Sequence, residues 1–178
     1  MSEPTVILDA LAIQRALTRM AHEIAERNEP GTEVALIGIP LGGDHLATRL
    51  AKILSGIWNR PIPTGILDVT MHRDDLDQRV APTMHPTDIP FDVTGRIIVL
   101  VDDVLFSGRT TRAAMDALND FGRPKKIQLA VLIDRGHREL PIRADFIGKN
   151  VPTALDEKIS LRLTEAGAAQ DEVVLKKK

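Results

Sequence analysis

The stretch IIVLVDDVLFSGRTTRAAMDAL, residues 97–118, decides the fold. Its first five residues form an unbroken apolar run, the pattern of a strand buried on both faces. Asp102 and Asp103 stand at the carboxyl end of that run, and Ser107-Gly108-Arg109-Thr110-Thr111 follows as a turn of small and hydroxylic residues. Ala114, Met115, Leu118 and Phe121 then recur at helical spacing, which predicts a helix over 109–121 that Gly122-Arg123-Pro124 stops. The same strand–turn–helix unit lies upstream: VALIGI (34–39), the turn Pro40-Leu41-Gly42-Gly43, and a helix over 44–57 with Leu46, Leu50, Ile53, Leu54 and Ile57 inward. Before it, Asp9 caps a helix running to about residue 28, ended by Pro30-Gly31. ILDV (66–69) reads as a shorter strand, IQLAVLI (127–133) as another central one, and ADFIG (144–148) as a further candidate before a polar tail ending in three lysines. Such alternation predicts one α/β domain across residues 1–178. Its central, mostly parallel sheet is flanked by helices, with strand 97–101 inside it and a small hood from the two chain ends.

Composition bounds the function. With 43% hydrophobic and 27% charged residues, the 178-residue chain can bury a core and is not wholesale disordered. Apolar runs stay near six residues, far below the ~20 of a membrane helix, and the N-terminus has no secretory pattern. A cytoplasmic protein is expected. The absence of cysteine excludes disulfides, thiolate zinc sites and a cysteine nucleophile. Net charge is −2, so there is no bulk cationic field for nucleic acid, and no DNA partner is expected. The charge is nevertheless unevenly placed, with a local −4 over 68–92 and a local +4 over 123–149. Residues 70–92, rich in proline and charge, lack any period and read as a long loop that is either disordered or functional.

The acid pair and the turn supply the chemistry. Open α/β sheets bind ligands at the carboxyl ends of their strands. The main-chain N–H groups and dipole of a helix N-terminus suit a phosphate, and Ser107, Thr110 and Thr111 add hydroxyls. Two carboxylates would repel a bare phosphate but suit the vicinal hydroxyls of a ribose, so the whole reads as a holder of ribose 5-phosphate. A P-loop is excluded, because no G-x-x-x-x-G-K-[ST] occurs. The five histidines show no metal-site spacing, so no protein-built metal centre is expected.

VLVDDVLFSGRTT (99–111) resembles the phosphoribosyl pyrophosphate (PRPP) motif of type I phosphoribosyltransferases. RGHRELPIRADFIGKN (135–150) and ALTRMAHEIAERN (16–28) narrow the resemblance to the PyrR-type attenuators of pyrimidine operons, over about residues 6–153. That resemblance implies the type I phosphoribosyltransferase fold and a homodimer or higher oligomer. It implies a protein that binds the leader mRNA stem-loop of pyrimidine operons when UMP or UTP is plentiful. The implied reaction joins uracil to PRPP with Mg²⁺, giving UMP and pyrophosphate. Ribose then falls to Asp102 and Asp103. The 5-phosphate falls to the turn Leu105 to Thr110, and the PRPP or nucleotide contacts implied are Val99, Leu100, Val101, Val104, Leu105, Phe106, Ser107, Gly108, Arg109, Thr110 and Thr111, with Leu41 and Gly42. The base falls near Asp134 and Arg135, and Arg73-Asp74-Asp75 matches a cover over the active site, with Arg73 offered to the leaving pyrophosphate. The RNA contacts implied are Thr18, Arg19, His22, Arg27, Arg138, Arg143 and Lys149.

Two positions depart from the pattern. Where the family usually has Thr-Arg-Gly, this chain has Leu41-Gly42-Gly43, and His72 stands where a tyrosine is usual. A lost arginine removes charge-assisted bonds of roughly 1.5–3 kcal/mol each, so reduced transfer is expected. A dedicated nucleobase salvage transferase without RNA binding is the alternative. Helix geometry sets Arg15, Thr18, Arg19 and His22 on the arc opposite Ile13, Leu17, Met20 and Ile24, a donor-rich face. Arginine planes on it can stack on unpaired bases, replacing the aromatics this chain lacks.

Overall fold

In the computed structural model, which describes residues 3–29, 32–74 and 84–177, the apolar run opening at Ile97 is the middle strand of a parallel sheet. The elements in chain order are β1 (Thr5–Leu8), α1 (Ala10–Arg27), β2 (Val34–Gly38), α2 (Gly43–Trp58), β3 (Thr64–Ile66), β4 (Ile97–Leu105), α3 (Arg109–Leu118), β5 (Lys126–Asp134), β6 (Phe146–Asn150), β7 (Glu157–Arg162) and β8 (Glu172–Lys177). Five strands pair in the order β3-β2-β4-β5-β6, every pairing parallel. β1, β8 and β7 form a separate antiparallel sheet, so the hood is indeed assembled from the two chain ends.

Alternation along the strands explains the layers. Val34, Leu36, Val99, Val101, Ala130 and Leu132 pack with α1, α2 and the hood. Ala35, Ile37, Ile98, Leu100, Leu129 and Val131 pack with α3. Asp9 caps α1, its carboxylate accepting from Ala12 N at 2.8 Å; the expected stop at Pro30-Gly31 lies outside the described residues.

Three elements differ from expectation. Strand pairing at 64–66 precedes the 66–69 segment because the Asp68 carboxylate accepts from Thr70 N, Thr70 Oγ1 and His85 N at 2.6–2.8 Å. That local arrangement ends the strand. β4 runs four residues beyond Val101, since Asp102, Val104 and Leu105 pair with Val131, Ile133 and Asp134 of β5. The polar tail contains the hairpin β7–β8, in which Ile159, Val173 and Val174 are buried among polar and charged neighbours.

Arg49 ties that hairpin to α2. Its guanidinium donates to both Glu165 oxygens at 2.6 and 2.7 Å and to Asp171 Oδ2 at 2.7 Å, and these bonds hold both carboxylates below the usual range. Arg49→Ala leaves two partly buried carboxylates facing each other. We expect a loss of about 1–3 kcal/mol, below the 3–5 of a fully buried pair because the site is partly wet. Thermal melts read it as several degrees of Tm, and an unchanged Tm would mean the hood is held by its apolar residues alone.

Candidate active site

Two adjoining hollows lie over the carboxyl ends of β4 and β5. The smaller, about 160 Å³, is lined by Arg73, Asp102, Phe106, Ser107, Thr110, Thr111 and their neighbours in the turn. The larger, about 400 Å³, is lined by residues 134–138 together with Asn150, Pro152 and Thr153. Phe106 joins them: its ring borders the smaller hollow, while the Arg135 guanidinium sits 4.2 Å from its centroid and His137 meets it edge-on at 6.0 Å.

The smaller hollow is built for an anion. Gly108 begins α3 with no side-chain cap of its own; the Arg109 N–H has only a long bond to Ser107 Oγ at 3.4 Å, and the N–H groups that follow it in the first turn point toward the hollow's rim as anion donors. Thr111 Oγ1 is buried there without a partner among the described residues. Arg73 Nη1 donates to Thr110 Oγ1 at 3.0 Å, which sets Arg73 beside the phosphate turn. The segment after β5 braces the turn, with Glu139 N and Leu140 N donating to Ser107 O at 3.0 and 3.1 Å.

Asp102 lines the smaller hollow and Asp103 lies against the turn before α2, with the two carboxyls close enough to interact. Gly42 has φ +112°, and a Cβ there would lie 3.2 Å from Asp103 Oδ2. Side chains avoid that backbone region, so glycine lets the turn press on the acid. Burial and the neighbouring Asp103 charge push the Asp102 carboxyl well above the usual range, partly offset by Arg73. Burial also pushes Asp103 up. A buried acid pair held close is poised to take up hydroxyl donors.

Asp134 and Arg135 line the larger hollow. Asp134 is already engaged, Oδ1 accepting from Gly136 N at 3.0 Å and Oδ2 from Arg138 Nη2 at 2.5 Å. Arg135 is buried with no carboxylate bonded to it among the described residues; Nε donates to Thr153 Oγ1 and Nη2 to Ala154 O. Desolvation lowers its pKa.

Of the cover, Arg73 and Asp74 are seen and Asp75 lies outside the described residues. Asp74 Oδ2 accepts from Arg109 at 2.5 Å and Arg112 at 2.9 Å, and Arg109 Nε also donates to Glu139. His72 Nε2 lies 3.4 Å from Asp120.

The expected RNA residues divide. Thr18, Arg19, His22 and Arg27 lie along α1, which packs on the edge strand β6, and Lys149 is exposed on β6 with Arg143 just before it. Arg19 is anchored, donating to Ile147 O, Gly148 O and Glu23, and Arg27 pairs with Asp145 at 3.2 Å. The face therefore mixes signs. The expected RNA residue Arg138 turns its guanidinium inward to Asp134, Phe106 O and Ile142 O and lines the larger hollow. Asp134 four residues earlier draws it in, a pairing that the charge count over 123–149 could not separate from a solvated base. Asp44 was not singled out in the sequence; its carboxylate accepts from Gly42 N at 3.0 Å, and the signal was an acid two residues after the turn glycine.

The Phosphoribosyl transferase domain family matches residues 5–158. A protein of Roseiflexus sp. (strain RS-1) named Bifunctional protein PyrR is 62% identical over 170 residues, spanning 95% of this chain and 93% of its own. Proteins of the same name from Chloroflexus aurantiacus and Listeria welshimeri are 56% and 51% identical, covering 96% and 99% of this chain and 94% and 99% of their own. Among solved structures, the hypoxanthine phosphoribosyltransferase of Trypanosoma cruzi has a TM-score of 0.72 at 19% identity, covering 98% of this chain and 97% of that one, a likeness of fold. The buried acid pair and phosphate turn on a parallel sheet, together with these identities, place the chain in the phosphoribosyl transferase domain family, among its PyrR-type type I phosphoribosyltransferases.

Proposed function

We infer that this chain is a uridine-nucleotide-responsive, RNA-binding attenuator of pyrimidine operons that also carries uracil phosphoribosyltransferase activity, working in the cytoplasm as a homo-oligomer. One observation carries the reading. The segment from Asp134 to Asn150 first walls the nucleotide hollow, then braces the phosphate turn, and ends as the edge strand β6, which carries Lys149. Nucleotide and RNA would thus favour one conformation of the same segment.

In the transfer, N1 of uracil forms a bond to ribose C1, the C1–O bond to pyrophosphate breaks with its electron pair, and the N1 proton leaves. The transition state is oxocarbenium-like, so the protein's task is placement, charge and exclusion of water. The first N–H groups of α3, with Thr110 and Thr111, hold the 5-phosphate, Asp102 and Asp103 take the ribose hydroxyls, and the hollow at Asp134–Arg138 takes the base. Mg²⁺ suits the hard oxygens of this corner, although no three His, Asp or Glu among the described residues group to hold a metal. Bound with PRPP, it would neutralise the departing pyrophosphate.

A gel-shift titration against a pyrimidine leader hairpin and a scrambled one, with and without UMP, tests the reading. UMP should tighten hairpin binding by roughly 5-fold or more. His22→Ala, Arg143→Ala and Lys149→Ala should weaken it, and each lost phosphate contact should flatten the log–log salt dependence by about 0.7–0.9. Equal affinity for both hairpins would remove the regulatory half of the reading and leave a transferase.

A further inference from the structure

The reaction geometry says where pyrophosphate must leave. An in-line displacement at ribose C1 puts the leaving group opposite the incoming base. With the ribose over the end of β4, the base hollow lies on the β5 side, so the leaving group lies on the other neighbour of β4, which is β2. The end of β2 is the turn at Pro40–Gly43, held on β4 by the bond from Ile39 N to Val101 O at 2.9 Å.

That corner is poor in positive charge. No Lys or Arg occurs from Val34 to Thr48, and Arg49 is engaged by Glu165 and Asp171. Leu41, at the tip, is 72% exposed, and its side chain offers neither donor nor charge. The Gly42 N–H, the donor that a small turn would present to an anion, already donates to Asp44 Oδ1 at 3.0 Å. Asp44 adds a negative charge of its own, felt as far as Asp103, and His45 Nε2 lies 4.0 Å from its other oxygen. Both helix starts lack a side-chain cap, and the contrast is with the phosphate turn, where hydroxyls and Arg73 converge.

We propose that Leu41 and Asp44 set the ligand preference of this site, disfavouring a pyrophosphoryl group on ribose C1 and so favouring a nucleoside monophosphate over PRPP. The chain then works first as a sensor of the monophosphate and only slowly as a transferase. This rests on the nucleotide reading above. A like charge at a few ångströms, in a partly dry corner, repels a multiply charged group far more than the distant 5-phosphate.

Calorimetry with UMP, with PRPP plus Mg²⁺ and with pyrophosphate plus Mg²⁺ tests it on the parent, Leu41→Arg, Asp44→Asn and the double variant. Asn keeps the acceptor for Gly42 N–H and removes only the charge. Each single variant should raise the ratio of PRPP to UMP affinity by roughly 3- to 10-fold, and the double by more, with pyrophosphate binding and turnover rising in parallel. A ratio that moves less than twofold in the double variant, with UMP still bound, overturns the proposal and leaves the nucleotide reading standing. Failure of the parent to bind UMP sinks both.

Discussion

Changing Asp102 and Asp103 together to asparagine should weaken uridine monophosphate binding by at least roughly a hundredfold while raising the melting temperature of the ligand-free protein. The loss follows from two acceptors: charged hydrogen bonds to the ribose hydroxyls contribute about 1.5–3 kcal/mol each, and an amide reproduces little of that. Transfer should fall by about a thousandfold or more, since the same bonds hold C1 between base and leaving group. The gain follows from burial. Both carboxyls are pushed up, Asp102 the further, by desolvation and by the Asp103 charge. A carboxyl whose folded pKa exceeds its unfolded value of about 3.9 keeps its proton longer in the folded state. Its contribution is therefore favourable below pH ~4 and is lost as pH rises through the raised folded value. The parent should lose stability across that window in the absence of ligand, and the variant should not. At pH 7 the variant should be more stable by about 1–2 kcal/mol, a gain typical of relieving a functional site, and near pH 3.5 the two melts should converge. Melting curves from pH 3.5 to 8 beside UMP calorimetry check both halves. Tight UMP binding by the double variant would displace the ribose from this pair.

How much of this could be read from residues varies by element, for physical reasons. Val34–Gly38 and Ile97–Val101 are buried on both faces, so an unbroken apolar run identified them. The phosphate turn was legible because its donors are main-chain groups at a helix start, and Gly108 with its hydroxylic neighbours marks that start in the sequence. β7 and β8 were not, because their outward residues are charged and their order depends on Arg49, more than a hundred positions away in sequence. The inward turn of Arg138 likewise depends on the fold, because Phe106 O and Ile142 O exist as acceptors only once β4 and the segment after β5 are side by side. The different neighbours of Asp102 and Asp103, the smaller hollow for one and the turn before α2 for the other, could be read once the strand is known to continue to Leu105.

A single methyl group at Gly43 should undo the site from the other side. A Cβ on Gly43 would lie 2.2 Å from Val101 O and 3.0 Å from Asp102 Cα, and a Cβ on Gly38 would lie 2.4 Å from Asp44 Cα. These neighbours are main chain, so no side-chain rotation relieves the overlap. The start of α2 must retreat from β4, and with it goes the turn that presses on Asp103. We expect Gly43→Ala to cost about 3 kcal/mol or more, at the upper end of overpacking, and to remove most UMP affinity in whatever fraction still folds. The internal control is Gly56, on the exposed side of the same helix, where a Cβ would meet nothing within 4 Å. There alanine should stabilise by about 0.5–1 kcal/mol through helix propensity. Denaturant melts of the two variants should therefore move in opposite directions, and ligand titration should separate them further, since only Gly43→Ala reaches the acids. A Gly43→Ala protein as stable as the parent, with UMP bound normally, would mean that α2 is not seated on β4 at this point, and the account of the acid pair would fall with it.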